Sequence, residues 1–350
     1  MKKNYVKDEA LIFHACSFAF VAYFVLILQW HKNISIVMKR HIPQLDYLKS
    51  LFIILMILFH LVYIGDTYPY LKQVVYTFHM PIFLILSGYL SGVDKKIKQF
   101  FVSIWWLFLP YSIMEFGYVL VASVLPVREQ VGDLSIINII RRILIDPVGP
   151  YWYLHTLLLC TIVHYFISRL FQHKLDNLGL LIIIGLSFWG ISQGAGLMSF
   201  SYSMYFLAGV GIRSFNLDFL KLFSPSVWSI IPLIVLCCFP ENLMEFNLAG
   251  CVIVYFMVSF LLKAYPLLPL PLVKLSLFIG KNTLCLLLFS PIFTMLSRMY
   301  LPLFMFDPTG ICFALFTLIL TALGCFAITW CMDRLKISPW FFGQDKMLKK

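Results

Sequence analysis

The chain has 350 residues, of which 61% are hydrophobic and only 12% charged, and its formal charge is +11. A soluble domain carries roughly twice that charged fraction, and here the basic residues are spread through short loops between apolar runs. The composition therefore excludes a soluble globular enzyme and a nucleic-acid surface, and it points to one membrane domain.

Apolar segments near spanning length follow one another at 10–29, 46–64, 73–92, 100–125, 151–168, 178–192, 200–212, 227–239, 248–262, 275–297 and 309–331. The reading is an all-α, polytopic transmembrane helix bundle of ten core helices, with an extra N-terminal helix before them. Segment 10–29 is too long for a signal-peptide core and lacks a cleavage site. Residues 1–37 read either as a true extra helix or as an extension from an upstream start codon. Residues 38–335 form the membrane domain and 336–350 a basic cytoplasmic tail. Segment 263–274 carries Pro266, Pro269 and Pro271 and reads as a loop.

Lys and Arg set the orientation. With loops 30–49, 93–99, 168–177, 213–226 and 263–274 and the tail 332–350 on one side, that side holds eighteen of the 27 basic residues and the other holds eight. The rule puts the C-terminus in the cytoplasm, and the expected location is a bacterial cytoplasmic membrane. The nine cysteines show no CxxC pair and no metal-ligand spacing. Most, such as Cys160, Cys251, Cys285 and Cys325, lie in apolar runs as small hydrophobes, and no metal is expected. Walker A, GxSxG and HExxH runs are absent.

Ionisable groups inside spans are costly, so each is a functional candidate. Asp46, Lys49 and His60 lie in LDYLKSLFIILMILFH. Lys49 and His60 share a helix face about 16 Å apart, and Asp46 is close enough to pair with Lys49. A snorkelling lysine and a packing histidine are the structural alternative. His79, in YTFHMPIFLILSGYLSG, counts back to the connection 65–72 much as His60 counts forward to it. Matched depth would make the two imidazoles an acid/base pair. Pro81 and Ser87-Gly88 in that segment read as a kink and a close helix contact. Glu115 lies mid-span and is either catalytic or a structural hydrogen-bond partner. Arg141 and Arg142, with Trp152 and Tyr153 behind them, suit an anionic sugar substrate or, for the aromatics, an interfacial belt. Lys281 and Asn282 stand at a span's cytoplasmic end, where a lysine snorkels or meets a phosphate.

In order and spacing, these pieces resemble the membrane acyltransferase-3 family, especially its branch similar to fucose 4-O-acetylase. The resemblance rests on LDYLKSLFIILMILFH, FHMPIFLILSGYL, LPY (109–111), YWYL (151–154), MYFLAGVGI (204–212) and IGKNTL (279–284), and covers roughly residues 40–335. It implies a membrane enzyme that moves an acyl group, usually acetyl from cytoplasmic acetyl-CoA as cosubstrate, to a glycan or lipid-linked sugar hydroxyl. His60 would be the essential base or acyl relay, with His79 orienting it and Glu115 contributing to the same chemistry. Lys49, Lys95, Lys96, Lys98 and Lys281 would meet CoA phosphates, and Asp46, Arg141, Arg142, Trp152, Tyr153 and Asn282 the substrate. The expected partners are the sugar acceptor, membrane lipids and, functionally, glycosyltransferases. A lipid-linked glycan flippase or other secondary transporter, with its buried His, Glu and Lys forming a path, is the alternative. A glycan polymerase is a further one.

Overall fold

A computed structural model describes residues 41–124, 130–171, 174–243 and 247–349, so the span expected at 10–29 lies outside the described residues. In lipid every backbone polar group must be satisfied within the protein, and a helix does so within one segment. The described residues accordingly form helices and no strands. In chain order they are α1 (Pro43–His60), α2 (Val62–Thr67), α3 (Pro69–Leu90), α4 (Ile97–Val124), α5 (Ile136–Leu144), α6 (Trp152–Phe171), α7 (Asn177–Gly190) and α8 (Phe200–Ser214). They continue with α9 (Phe219–Leu222), α10 (Ile230–Cys237), α11 (Leu248–Ala264), α12 (Leu270–Lys281), α13 (Thr283–Tyr300), α14 (Ile311–Arg334) and α15 (Ser338–Phe342).

Among the described residues eight helices are long and apolar enough to cross a membrane, those at α1, α3, α4, α6, α7, α11, α13 and α14. The fold is all-α and polytopic. The other two core segments, 200–212 and 227–239, are the shorter helices α8 and α10. Nearly all of α8 is buried, from Phe200 through Ile212 with Tyr202 half-buried, so protein rather than lipid surrounds it.

Three boundaries differ from the sequence reading. The connection 65–72 is mostly helical, because α2 runs to Thr67 and α3 starts at Pro69, where proline is accepted in the first turn. Segment 263–274 is a loop only in part: Pro271 falls in the first turn of α12, again where its missing N–H costs nothing. The single span expected at 275–297 is broken into α12 and α13 at Asn282.

The chain forms two compact units. The first comprises the described parts of Met1–Gln44 together with Gln73–Val93 and Leu159–Pro269. Within it α3 and α8 cross at their glycines. A Cβ on Gly88 would collide with the Phe206 carbonyl, and one on Gly209 with the Ile85 carbonyl. Small residues at a crossing let two backbones approach, which is how helices associate where lipid supplies no hydrophobic drive. Ser87-Gly88 therefore marks the close contact expected from sequence. Arg213, in the last turn of α8, donates to the Tyr89 and Leu90 carbonyls at 3.4 and 3.5 Å, satisfying acceptors at the C-terminus of α3. Gly88→Val forces the backbones apart and is expected to destabilise by about 1–3 kcal/mol. Gly117→Ala is the control, since a Cβ there meets nothing within 4 Å. Thermal unfolding in detergent compares them, and equal midpoints for the two variants would refute the crossing as a constraint.

The second unit comprises Leu45–Lys72, Asp94–Leu158 and Leu270–Lys350. Here α13 packs along α14, with the Phe293 ring filling the space where Gly324 lacks a side chain. Asp307 starts α14: its carboxylate accepts from the Thr309 hydroxyl, from the Thr309 N–H at 2.9 Å and from the Cys312 N–H at 2.8 Å. The Thr309 hydroxyl and then the Cys312 N–H lower its pKa to about 2. A depressed carboxylate pKa stabilises the fold above the ordinary value of about 4, and that contribution is lost as pH falls through the folded value. Protection of the Thr309 and Cys312 amides from hydrogen exchange should therefore persist from pH 7 to about pH 3 and fade toward about pH 2. Loss already above pH 4 would contradict this.

Candidate active site

Apart from His79, every candidate residue belongs to the second unit. At one end of α1, Lys49 Nζ lies 2.6 Å from Asp46 Oδ1, the i,i+3 pair expected from spacing. Gly280 of α12 abuts the Asp46 carbonyl so closely that a Cβ would overlap it. This contact places Lys281 and Asn282 beside the start of α1. Glycine is needed for the approach of the two backbones, not for its dihedral freedom.

Asn282 is fully buried and engaged on both sides of its amide. Its Nδ2 donates to the Phe278 and Lys349 carbonyls, both at 2.8 Å, and its Oδ1 accepts the Lys349 N–H at 2.8 Å. It reads the backbone of the C-terminal tail as a neighbouring strand would. Asp333 holds the same tail, accepting from the Ser338 hydroxyl at 2.5 Å and from the N–H groups of Met347 and Leu348 at 2.9 and 3.1 Å. Buried Phe342 and Met347 complete the anchorage. Asn282 thus holds the tail rather than offering its amide to a ligand, and the tail is packed against the end of α12. The role of Asp333 was missed in the sequence; an acid at the end of the last span, ahead of a tail with apolar residues, was its only trace.

His60 ends α1, eleven residues or about 16 Å beyond Lys49. Its Nδ1 lies 2.7 Å from the Met56 carbonyl. A carbonyl only accepts, so Nδ1 carries the proton, and in the neutral ring Nε2 holds the lone pair. The preceding turn of the helix therefore fixes both tautomer and ring orientation. His79 uses the same device, with Nδ1 2.8 Å from the Val75 carbonyl, and is buried. It belongs to the first unit. It stands ten residues into α3, while His60 ends α1 and is followed by α2.

Glu115 is buried on α4 and accepts the Val148 N–H at 2.6 Å through Oε1. It holds the chain just before Gly149, whose φ of +64° and contact with the Tyr118 ring leave no room for a side chain. Two further side chains fasten the same segment. Tyr111 Oη donates to the Ile143 carbonyl at 2.7 Å, and His155 Nε2 donates to the Leu144 carbonyl at 2.9 Å. Arg142 pairs with Asp146 at 2.6 Å, and Arg141 is exposed. Tyr153 is buried and its ring meets that of Trp152 edge-on at 6.4 Å. Lys95 donates to Ser103 Oγ at 2.8 Å, while Lys95, Lys96 and Lys98 lie exposed ahead of and in the first turn of α4.

The described helices are those of an all-helical, multi-pass membrane protein. Residues 42–330 match the family model described as an acyltransferase domain, so the chain belongs to the acyltransferase-3 family and is a membrane acyltransferase. No curated protein and no solved structure matches it.

Proposed function

We propose that the protein moves a short acyl group, acetyl in the first instance, from cytoplasmic acyl-CoA to a hydroxyl of a cell-surface polysaccharide or a lipid-linked sugar. The observation that carries this reading is the His60 Nδ1 bond to the Met56 carbonyl, which leaves Nε2 as the basic nitrogen. In direct transfer Nε2 takes the acceptor's hydroxyl proton as that oxygen attacks the thioester carbonyl. The new C–O bond forms, the C–S bond breaks, and the imidazolium returns the proton to the CoA thiolate. His79, with its ring fixed in the same way, is the second acid/base group.

Lys49 and Lys281 flank the Asp46–Gly280 contact and are the nearest cations for CoA phosphates, with Lys95, Lys96 and Lys98 as outer contacts. The separation between Lys49 and His60, about 16 Å, is on the scale of an extended phosphopantetheine arm. The basic-residue asymmetry supports a cytoplasmic-membrane location with the Lys49 end and the C-terminus in the cytoplasm. Glu115 acts by positioning the segment before α6, and Trp152 and Tyr153 flank an acceptor approaching from the opposite side. Asp46 takes part by holding Lys49.

Purified protein in proteoliposomes, given radiolabelled acetyl-CoA and a panel of glycan acceptors, should produce a base-labile ester on the acceptor. Acceptor movement across the bilayer without any covalent label would overturn the reading in favour of a carrier.

A further inference from the structure

Helix α5 carries its isoleucines on two adjoining arcs. At about 100° per residue, Ile139 and Ile143 fall together on one side. Ile139 packs into the cluster of Val119, Ala122, Val131 and Val148. Ile136, Ile137, Ile140 and Leu144 occupy the neighbouring arc of about 100°, and Arg141 stands at its edge. That second arc is bare: Ile136 is 75% exposed, Ile137 82%, and none of the nine residues of α5 is buried.

The position of α5 is fixed by side chains of two spanning helices. Tyr111 and His155, which bond the last carbonyls of α5, belong to α4 and α6. Tyr111 lies thirteen residues before the end of α4, so the C-terminus of α5 is held about 20 Å back along that span rather than beyond its end. Four exposed aliphatic side chains at that level face the medium around the spans. An apolar arc edged by arginine is also the composition of a helix lying in a bilayer interface.

We propose that α5 is an interfacial helix whose Ile136–Ile140–Leu144 arc rests among acyl chains while Arg141 holds the headgroup of an anionic phospholipid. Asp133 and Ser135 support its other end: the Ser135 hydroxyl accepts the Asn138 N–H at 3.3 Å, and Asp133 accepts the Ser135 N–H at 2.8 Å. Those two bonds stop the first turn from fraying at the headgroup level. Arg142 turns away toward Asp146, so the two adjacent arginines have different tasks.

The test is photolabelling in vesicles that contain phosphatidylglycerol or phosphatidylcholine with a diazirine in the acyl chain, followed by mass spectrometry of the 130–148 peptide. Adducts on Ile137 or its neighbours are expected in both lipids, about fivefold more in phosphatidylglycerol, the preference one arginine gives at an anionic surface. Arg141→Gln should abolish that preference and keep the labelling. Absence of adducts on this peptide while α4 and α6 are labelled overturns the interfacial position. Equal labelling in the two lipids overturns the role of Arg141. Ile137→Cys that crosslinks to a second copy in place of lipid labelling overturns the proposal by assigning the arc to self-association. The readout requires no acyl acceptor, so it stands apart from the transferase assay.

Discussion

His60→Ala should lower acyl transfer by about 10²–10⁴-fold, the range lost when a positioned general base is removed. The effect should fall on kcat with little change in the KM for acyl-CoA, because the imidazole acts on the reacting oxygen and not on the CoA phosphates. Lys281→Gln should show the reverse pattern, a rise in KM of severalfold at nearly constant kcat. Alanine at 60 also removes the Nδ1 bond to the Met56 carbonyl. That bond lies within one helix and its loss costs only about 1 kcal/mol, so the variant should insert and fold. Fluorescence-detected size exclusion separates a catalytic defect from an unfolded protein. Transfer at the wild-type rate by well-folded His60→Ala would remove His60 from the chemistry.

The second large effect concerns the tail. Asn282→Ala deletes both contacts with Lys349 and leaves buried backbone groups without partners, which should cost about 3 kcal/mol. The cost should be local: residues 344–349 should become accessible to protease while the spanning helices stay folded. Asn282→Asp keeps the acceptor for the Lys349 N–H but turns a buried carboxylate oxygen toward the Phe278 and Lys349 carbonyls, so its effect should be at least as large. Because Gly280 of the same turn abuts Asp46, freeing this end should also raise the KM for acyl-CoA. A tail that remains protected in Asn282→Ala, with an unchanged unfolding midpoint, would show that Asp333 and the buried Phe342 and Met347 suffice without the amide.

Much of the architecture was legible because a bilayer is a demanding solvent. Backbone groups there must bond within the chain, and side chains must be apolar over about twenty residues, so hydropathy located seven of the eight long helices and merged the eighth, α13, with α12. The Asp46–Lys49 pair and the Gly88 contact were legible as well, since each depends on spacing within one helix or on the size of one residue. The motif order that resembles the acyltransferase-3 family agrees with the family match over residues 42–330.

What the sequence could not determine depends on partners distant in the chain. The break at Asn282 follows Gly280 by two residues, but what fixes it is a match to a backbone 67 residues away. Helix α8 reads as a weak span, yet protein encloses it because Gly88 and Gly209 let α3 approach. Glu115 looked like a candidate acid, and it became a backbone anchor only once Val148 folded back to it. His60 and His79 share one tautomer-fixing device within their own helices, which only the structure shows, and they fall in different units. Local hydrogen bonds and lipid solvation act through neighbours in sequence, so sequence determined which residues form helices. Tertiary structure decided which polar groups are already satisfied by distant backbone, and therefore which remain candidates for chemistry.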